Sequence, residues 1–190
     1  MTNGLMALED CASDPVISAL VAAGAALLGF LLATIRDWVR NRRDRRRRQQ
    51  AALLNFFREI EGNRQSCSSN LMLLKTEKNA LKAKESKGYV NALDRLEEGA
   101  WSLARLDLPT WLVVDGDLLG RIETQLSITR RVNASLESRE RFHIQHLAGD
   151  DRLLVEGLTK YADVLVYPQE DLIGRIDEIL RELAPHLPVG

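Results

Sequence analysis

The stretch VISALVAAGAALLGFLLATI, residues Val16–Ile35, contains no charged residue, and RDWVRNRRDRRRR follows it directly at Arg36–Arg48. Twenty helical residues rise about 30 Å, which matches the hydrocarbon core of a bilayer. The stretch therefore predicts a transmembrane helix over residues 15–35, with Pro15 at its first helical position, where the missing N–H of proline costs nothing.

Charge is distributed unevenly on the two sides of this stretch. The tail at residues 1–14 carries three acidic residues and no basic one, whereas the predicted juxtamembrane helix at residues 36–50 is rich in arginine. By the positive-inside rule, the N-terminus faces out and the chain from Arg36 onward is cytosolic, as in a single-pass protein of a prokaryotic inner (plasma) membrane. The arginines are Arg36, Arg40, Arg42, Arg43, Arg45, Arg46, Arg47 and Arg48.

Two other interpretations of the apolar stretch are a cleaved signal peptide and a buried core helix. A signal peptide has its basic region before the apolar run, and here the order is reversed. Trp38 lies where the cytosolic boundary of a bilayer would fall, a position that amphipathic rings prefer. An uncleaved anchor is therefore the interpretation that the sequence favours.

The chain has 190 residues and a net charge of −1, and the remaining domain, residues 51–190, has 18 basic and 22 acidic residues. This mildly acidic domain offers no general nucleic-acid surface, so attraction to phosphates is expected from the arginine run alone. That run is interpreted as a topology signal and as a contact for anionic lipid headgroups. A nucleic-acid contact is the less favoured alternative, because no aromatic residue between Val39 and Gln50 could stack on bases.

Helix-breaking residues are scarce from Pro15 to about Lys84, which predicts one helix of roughly 70 residues, about 105 Å long. Its second half carries residues in steps of four and three, typical of a core-facing stripe or of a coiled-coil seam. Cys67 lies on this stripe, and the topology separates it from Cys11, so we expect a core cysteine rather than a disulfide. The stripe consists of Leu53, Phe57, Ile60, Arg64, Cys67, Leu71, Leu74, Lys78 and Leu81.

The rest of the chain is predicted to be all-α. After a turn at Ser86–Gly88, we expect a helix carrying Leu93, Leu96, Ala100 and Leu103, then a connection at Pro109–Asp117. A third helix capped by Asp115 or Asp117 should reach His146, and the break at Gly149–Asp151 should separate it from a fourth ending at Tyr167 and a fifth over Pro168–Pro185. No segment shows sustained period-two alternation. The fold class is an antiparallel cytosolic bundle of four to five helices.

Candidate chemical sites are few. Glu140 and His143 form one E-x-x-H, with His146 one turn later, but a di-iron bundle requires two such pairs and two further glutamates. Asp115-Gly116-Asp117 begins like a calcium loop, yet Leu126 stands where the bidentate glutamate belongs. No phosphate-binding glycine loop or nucleophile motif is present in the sequence. We therefore predict no catalytic, cofactor-binding or metal-binding residue.

Small residues recur every fourth position along the predicted span. Ala25, Gly29 and Ala33 form a ridge that would let two membrane helices approach closely. Alanine-rich spans are common, so the ridge is equally compatible with a solitary anchor. A homo-oligomer paired through this ridge is the partner hypothesis that the span itself suggests.

An E-I-x-x-N pattern follows the basic run at Glu59, Ile60 and Asn63. In this order of elements, the chain resembles a group of small prokaryotic single-span proteins with an arginine-rich juxtamembrane helix and a helical cytosolic domain. The resemblance implies the same architecture and a prokaryotic origin. That group has no assigned activity, so the resemblance assigns no functional role to any residue here.

These observations lead to one preferred function and two alternatives. The preferred one is a membrane-anchored interaction or scaffold module without catalytic activity, whose partners are the bilayer, its anionic headgroups and a cytosolic protein or a second copy. The first alternative is a membrane-tethered nucleic-acid-binding protein that uses the arginine run. The second is an enzyme whose site has no recognisable sequence pattern.

Overall fold

A computed structural model describes residues 15–83, 90–147, 149 and 151–187, and within these ranges all regular secondary structure is helical. The predicted tail at 1–14 and the predicted turn at Ser86–Gly88 lie outside the described residues. The chain divides into two compact units, Met1–Arg47 and Arg48–Gly190. The α-helices are α1 (Pro15–Lys82), α2 (Gly99–Ala104), α3 (Thr110–Val114), α4 (Gly116–His146) and α5 (Asp151–Leu183), with 3-10 turns at Arg105–Asp107 and Ala184–His186.

The N-terminal unit is, in its described part, the first half of α1. Every large apolar side chain from Val16 to Val39 is exposed. This is the one helix in the described ranges that is long and apolar enough to cross a membrane. The all-helical class and the long apolar N-terminal helix thus agree with the sequence-based prediction.

In the C-terminal unit, ion pairs define the direction in which α5 runs past α1. The Arg64 guanidinium lies 2.5 Å from the Asp177 carboxylate, and Lys78 pairs with Asp163. Since the later residue of α1 contacts the earlier residue of α5, the two helices are antiparallel. Arg64 and Lys78, the two charged positions of the predicted stripe, are therefore half-buried contacts to α5.

Helix α4 also runs opposite to α5. Arg121 donates two hydrogen bonds to the Glu182 carboxylate, at 2.7 and 2.5 Å, while the rings of Phe142 and Tyr161 lie 5.6 Å apart near the other end. A Cβ on Gly157 would lie 2.1 Å from the Phe142 ring, so the missing side chain makes room for that ring. Helices α1 and α4 are both antiparallel to α5 and hence parallel to each other.

The apolar stripe of α1 is covered by the unit's own helices. Six of its residues are buried and three are half-buried, and the buried ones other than Leu71 pack with apolar residues of α4 or α5. Cys67 is completely buried, as predicted, and burial raises the pKa of its thiol to about 12. The buried stripe residues are Leu53, Ile60, Cys67, Leu71, Leu74 and Leu81.

The prediction of a helix carrying Leu93 to Leu103 is wrong over most of its length. Residues 90–98 are not helical, and α2 begins only at Gly99. Leu96 is buried and Leu93 half-buried without a helix to orient them. The reason is that side chains of α1 and α4 bond the backbone groups of this segment, so it needs no internal helical hydrogen bonds.

The predicted boundary between a fourth and a fifth helix is also wrong, because α5 continues through Pro168. Proline inside a helix removes the hydrogen bond to the carbonyl four residues earlier and costs about 3 kcal/mol. Here that carbonyl belongs to Val164, whose residue is exposed, so water can reach this side of the helix. Buried residues on both sides of the proline, Leu165 and Leu172 among them, favour one continuous helix.

The third predicted helix is confirmed as α4. The Asp115 carboxylate accepts a hydrogen bond from the Leu118 N–H at 3.1 Å and so caps its N-terminus, and the helix ends at His146. The preceding connection contains the short helix α3 and, as expected, no strand among its residues Pro109–Asp117.

Candidate functional site

The eight arginines predicted to contact lipid headgroups all have exposed side chains. They belong to one continuous helix, α1, and Arg42 lies over the Trp38 ring at 5.2 Å from its centroid. A guanidinium at that distance is attracted by the negative face of the indole. The predicted lipid contacts remain Arg36, Arg40, Arg42, Arg43, Arg45, Arg46, Arg47 and Arg48.

The small-residue ridge of Ala25, Gly29 and Ala33 is exposed along α1. A Cβ built on Gly29 would meet no atom within 4 Å outside its own helix backbone. Nothing in the described residues covers the ridge at Gly29, so another helix can approach it closely. Its role in self-association remains a prediction.

The sequence analysis did not predict a repeated hydrogen-bond pattern in the C-terminal unit, which we call the amide clamp. It consists of asparagine side chains that each bond both backbone groups of one residue in the extended segment 90–98. The Asn63 amide donates to the Glu97 carbonyl at 2.8 Å and accepts from the Glu97 N–H at 2.7 Å. Asn70 makes the same pair of bonds with Asp94, at 2.9 and 2.8 Å.

Helix α4 contributes the third clamp residue. Asn133 accepts from the Leu96 N–H at 2.9 Å and donates to the Leu96 carbonyl at 2.8 Å. Its amide also donates to the Glu98 carboxylate at 2.7 Å. A carboxamide replaces the donor and acceptor of a neighbouring strand, so the segment is held as in a sheet, although the described residues contain no strand.

The spacing of the side chains along α1 matches the spacing of their backbone partners along the segment. Asn63, Asn70 and Glu77 are seven residues apart, about 10.5 Å along the helix, and therefore lie on one face of α1. Their backbone partners are three residues apart, about 10 Å in an extended chain. The two distances agree, so Asn63, Asn70 and Glu77 can each accept a backbone N–H from every third residue of the segment. The partners of the three are Glu97, Asp94 and Asn91, in antiparallel order.

A buried ion pair binds the N-terminal part of the segment, at Asn91. Glu77 and Arg139 are buried, and two hydrogen bonds of 2.7 and 2.5 Å join the guanidinium to the carboxylate. Glu77 accepts the Asn91 N–H at 3.0 Å, and Arg139 donates to the Asn91 carbonyl at 3.3 Å. Loss of either partner would leave a buried charge without its counterion, which strongly destabilises a fold.

The three E-I-x-x-N residues all have structural roles at or near this segment. Ile60 is buried in the core, Asn63 clamps Glu97, and Glu59 accepts the Ala100 N–H in the first turn of α2 at 2.6 Å. Desolvation of the Glu59 carboxylate raises its pKa, and its other oxygen is buried without a hydrogen-bond partner. These roles are structural, and they explain why a glutamate and an asparagine four residues apart occur together here.

The clamp binds backbone groups and leaves three charged side chains of the segment exposed. Asp94, Arg95 and Glu97 are exposed, and Arg95 pairs with Glu140 at 3.4 Å. A surface cavity of about 420 Å³ lies beside the segment, between residues 90–95 and the last part of α4. The arrangement can therefore fix an extended chain and display charged side chains.

The residues considered for a metal site lie at the end of α4. The His146 ring stacks on Phe142 and its Nδ1 lies 2.9 Å from the Phe142 carbonyl, whereas His143 Nε2 is buried without a hydrogen-bond partner. Over the ranges that the structure describes, no three histidine, cysteine or carboxylate residues are grouped to hold a metal ion.

The fold and the clamp together define an all-helical protein with one long apolar helix and a helical unit that contains an extended, amide-held segment. No family model, curated protein or solved structure matches this chain in the comparisons. A signal for the clamp did exist in the sequence: asparagine and glutamate recur at a seven-residue spacing in the second half of α1, at Asn63, Asn70 and Glu77.

Proposed function

We propose that this protein is a single-span membrane anchor that holds a helical interaction or scaffold module, without catalytic activity, at the cytosolic face of a prokaryotic inner membrane. One observation carries the proposal. Large apolar side chains from Val16 to Val39 are exposed around the whole helix. Contiguous apolar surface of this extent is rare on a soluble protein, and a bilayer would cover it.

The arginine run supports both the orientation and the lipid contact. Eight exposed arginines follow the apolar stretch, which favours a cytosolic location for everything after Arg36. Basic side chains near an anionic bilayer surface contribute about 1 kcal/mol each. In this proposal, the C-terminal unit is a cytosolic bundle, and its partner is a cytosolic protein or a second copy.

Thiol accessibility tests the anchor and its orientation in bacteria expressing the full chain. We expect alkaline carbonate to leave the protein in the membrane fraction, and an impermeant maleimide to label Cys11 in spheroplasts. A Ser69→Cys reporter in a Cys11→Ser background should react only after permeabilisation, since Ser69 is exposed on the C-terminal unit. Cys67 serves as the internal control, because a buried thiol should stay unlabelled throughout. Labelling of the Ser69→Cys reporter in intact spheroplasts would contradict the orientation.

Lipid analysis tests the arginine contact. The full chain extracted in mild detergent should carry more anionic than zwitterionic lipid, and replacing Arg45, Arg46, Arg47 and Arg48 by glutamine should reduce that excess. Salt should reduce it as well. Steeply salt-dependent binding of DNA or RNA, without lipid enrichment, would instead support the nucleic-acid alternative.

A further inference from the structure

The segment from α2 to α3 exposes large apolar side chains on the C-terminal unit. Leu106 is 83% and Val114 80% exposed, more than any other large apolar residue in the described part of the chain. Leu103 and Val113 in the same segment are also exposed. Exposed apolar residues concentrated in one short segment mark a site of interaction with a protein or a membrane.

The segment is docked firmly, so its exposed side chains are not awaiting a place in the core. Trp101, Ala104 and Leu112 are buried in the main core, between the exposed positions. The Trp111 ring stacks on His186 with centroids 3.8 Å apart. Each short helix thus has one buried face and one face that nothing in the described chain covers.

A hydrogen bond locates this segment at one end of the unit. Gln49 Nε2 donates to the Leu108 carbonyl at 3.2 Å, so the middle of the segment lies beside the first residues that α1 contributes to this unit. The opposite end of α1, at Lys82, lies 33 residues further, about 50 Å along the helix. The exposed apolar residues therefore lie at the end of the unit where the chain enters it.

Chain length connects that end to the proposed anchor. Thirteen residues separate Ile35 from Gln49, so a short stretch of chain joins this end of the unit to the proposed anchor. A bilayer that holds Val16–Ile35 is thus tethered to this end, which gives lipid a high effective concentration compared with a soluble partner.

We propose that Leu106 and Val114, supported by Leu103 and Val113, insert into the boundary between headgroups and acyl chains, as a second membrane contact of the C-terminal unit. This inference rests on the proposed anchor. Leucine, valine and an adjacent arginine suit that depth, because the aliphatic groups enter the acyl layer while the cation stays among phosphates. Arg105 supplies the cation, and its 3.5 Å pair with Glu123 joins two exposed side chains.

Site-specific photo-crosslinking of the full chain in liposomes tests the contact. A photoreactive amino acid replaces Leu106 or Val114, and a matched control replaces Leu153, which is 55% exposed in the first turn of α5. We expect several-fold more lipid adduct at positions 106 and 114 than at 153. A Leu106→Asp, Val114→Asp variant that carries the photoreactive residue at Leu103 should lose most of its lipid adduct and still resist alkaline carbonate.

The outcomes separate this inference from the anchor proposal. A chain that resists alkaline carbonate but gives no more lipid adduct at position 106 than at 153 would overturn the second contact alone. Protein adducts in place of lipid adducts at 106 would overturn it in favour of a docking surface for a protein. Release of the chain by alkaline carbonate would overturn the anchor and the second contact together.

Discussion

Glu59 belongs to α1, and its carboxylate is buried against the start of α2. One carboxylate oxygen accepts the Ala100 N–H, and the other has no hydrogen-bond partner. Burial disfavours its charged form, and this effect exceeds the stabilising effect of the N–H bonds, so its pKa is raised. The folded state therefore binds the proton more tightly than the unfolded chain does. The contribution of Glu59 to stability is complete below the unfolded pKa of about 4.3 and is lost as pH rises through the folded pKa.

We predict that Glu59→Gln weakens this pH dependence. The amide stays neutral, so the stability of the wild-type protein relative to the variant should fall as pH increases from about 4 to 7. Thermal unfolding of the full chain in detergent at several pH values measures this difference. Glu61→Gln is the matched control, because Glu61 lies two residues further along the same helix and is exposed. A constant difference between wild type and Glu59→Gln across this range would contradict the raised pKa.

At the scale of elements, the amide clamp determines what the chain between α1 and α2 can be. Leu93, Leu96, Ala100 and Leu103 have a spacing that suits a helix, but a helix would withdraw the backbone groups that Asn63, Asn70 and Asn133 bond. Those asparagines are buried or half-buried and would be left without partners. Unsatisfied buried amides cost more than the helix would gain, so the extended form prevails.

We predict that Asn70→Ala destabilises the protein by about 2 kcal/mol, because both backbone groups of Asp94 lose their partner. The extended segment should also open more often, so trypsin should cut after Arg95 faster than in wild type. Denaturant unfolding and limited proteolysis of the full chain measure the two effects. Asn79→Ala is the control, since Asn79 is exposed on the same helix. Wild-type cleavage and stability in Asn70→Ala would show that the clamp contributes little.

At the scale of the whole molecule, the two halves of α1 differ in what covers them. The stripe from Leu53 to Leu81 is covered by α4, α5 and the extended segment of the same chain, so it is not available for a coiled-coil seam between copies. The ridge of Ala25, Gly29 and Ala33 is exposed. Contact between copies through α1 is therefore expected at the ridge and not at the stripe.

We predict that Gly29→Ile weakens self-association several-fold in a membrane two-hybrid or detergent cross-linking assay, because the larger side chain separates the helices. Gly24→Ile is the matched control. Gly24 lies about 140° around the helix from Gly29, at 100° per residue, and a Cβ there also meets nothing within 4 Å. An unchanged signal in Gly29→Ile, or a wild-type protein that is monomeric at high concentration, would leave α1 a solitary anchor.

The sequence by itself determined the elements whose causes are local. A long run without helix breakers predicted α1, an aspartate before an apolar period predicted the start of α4, and a glycine with two aspartates predicted the break before α5. The buried stripe and the core position of Cys67 also followed from helical periodicity. Caps, breakers and periodicity act within a few residues, so the sequence alone shows them.

Only the tertiary structure decided the features that depend on distant partners. Pro168 lies inside one helix because the buried residues on both sides of it favour continuity over its local cost. Residues 90–98 are extended because Asn63 and Asn70 of α1 and Asn133 of α4 supply their hydrogen bonds across 24 to 37 residues of chain. No local pattern encodes where such partners meet, since packing of the three long helices brings them together.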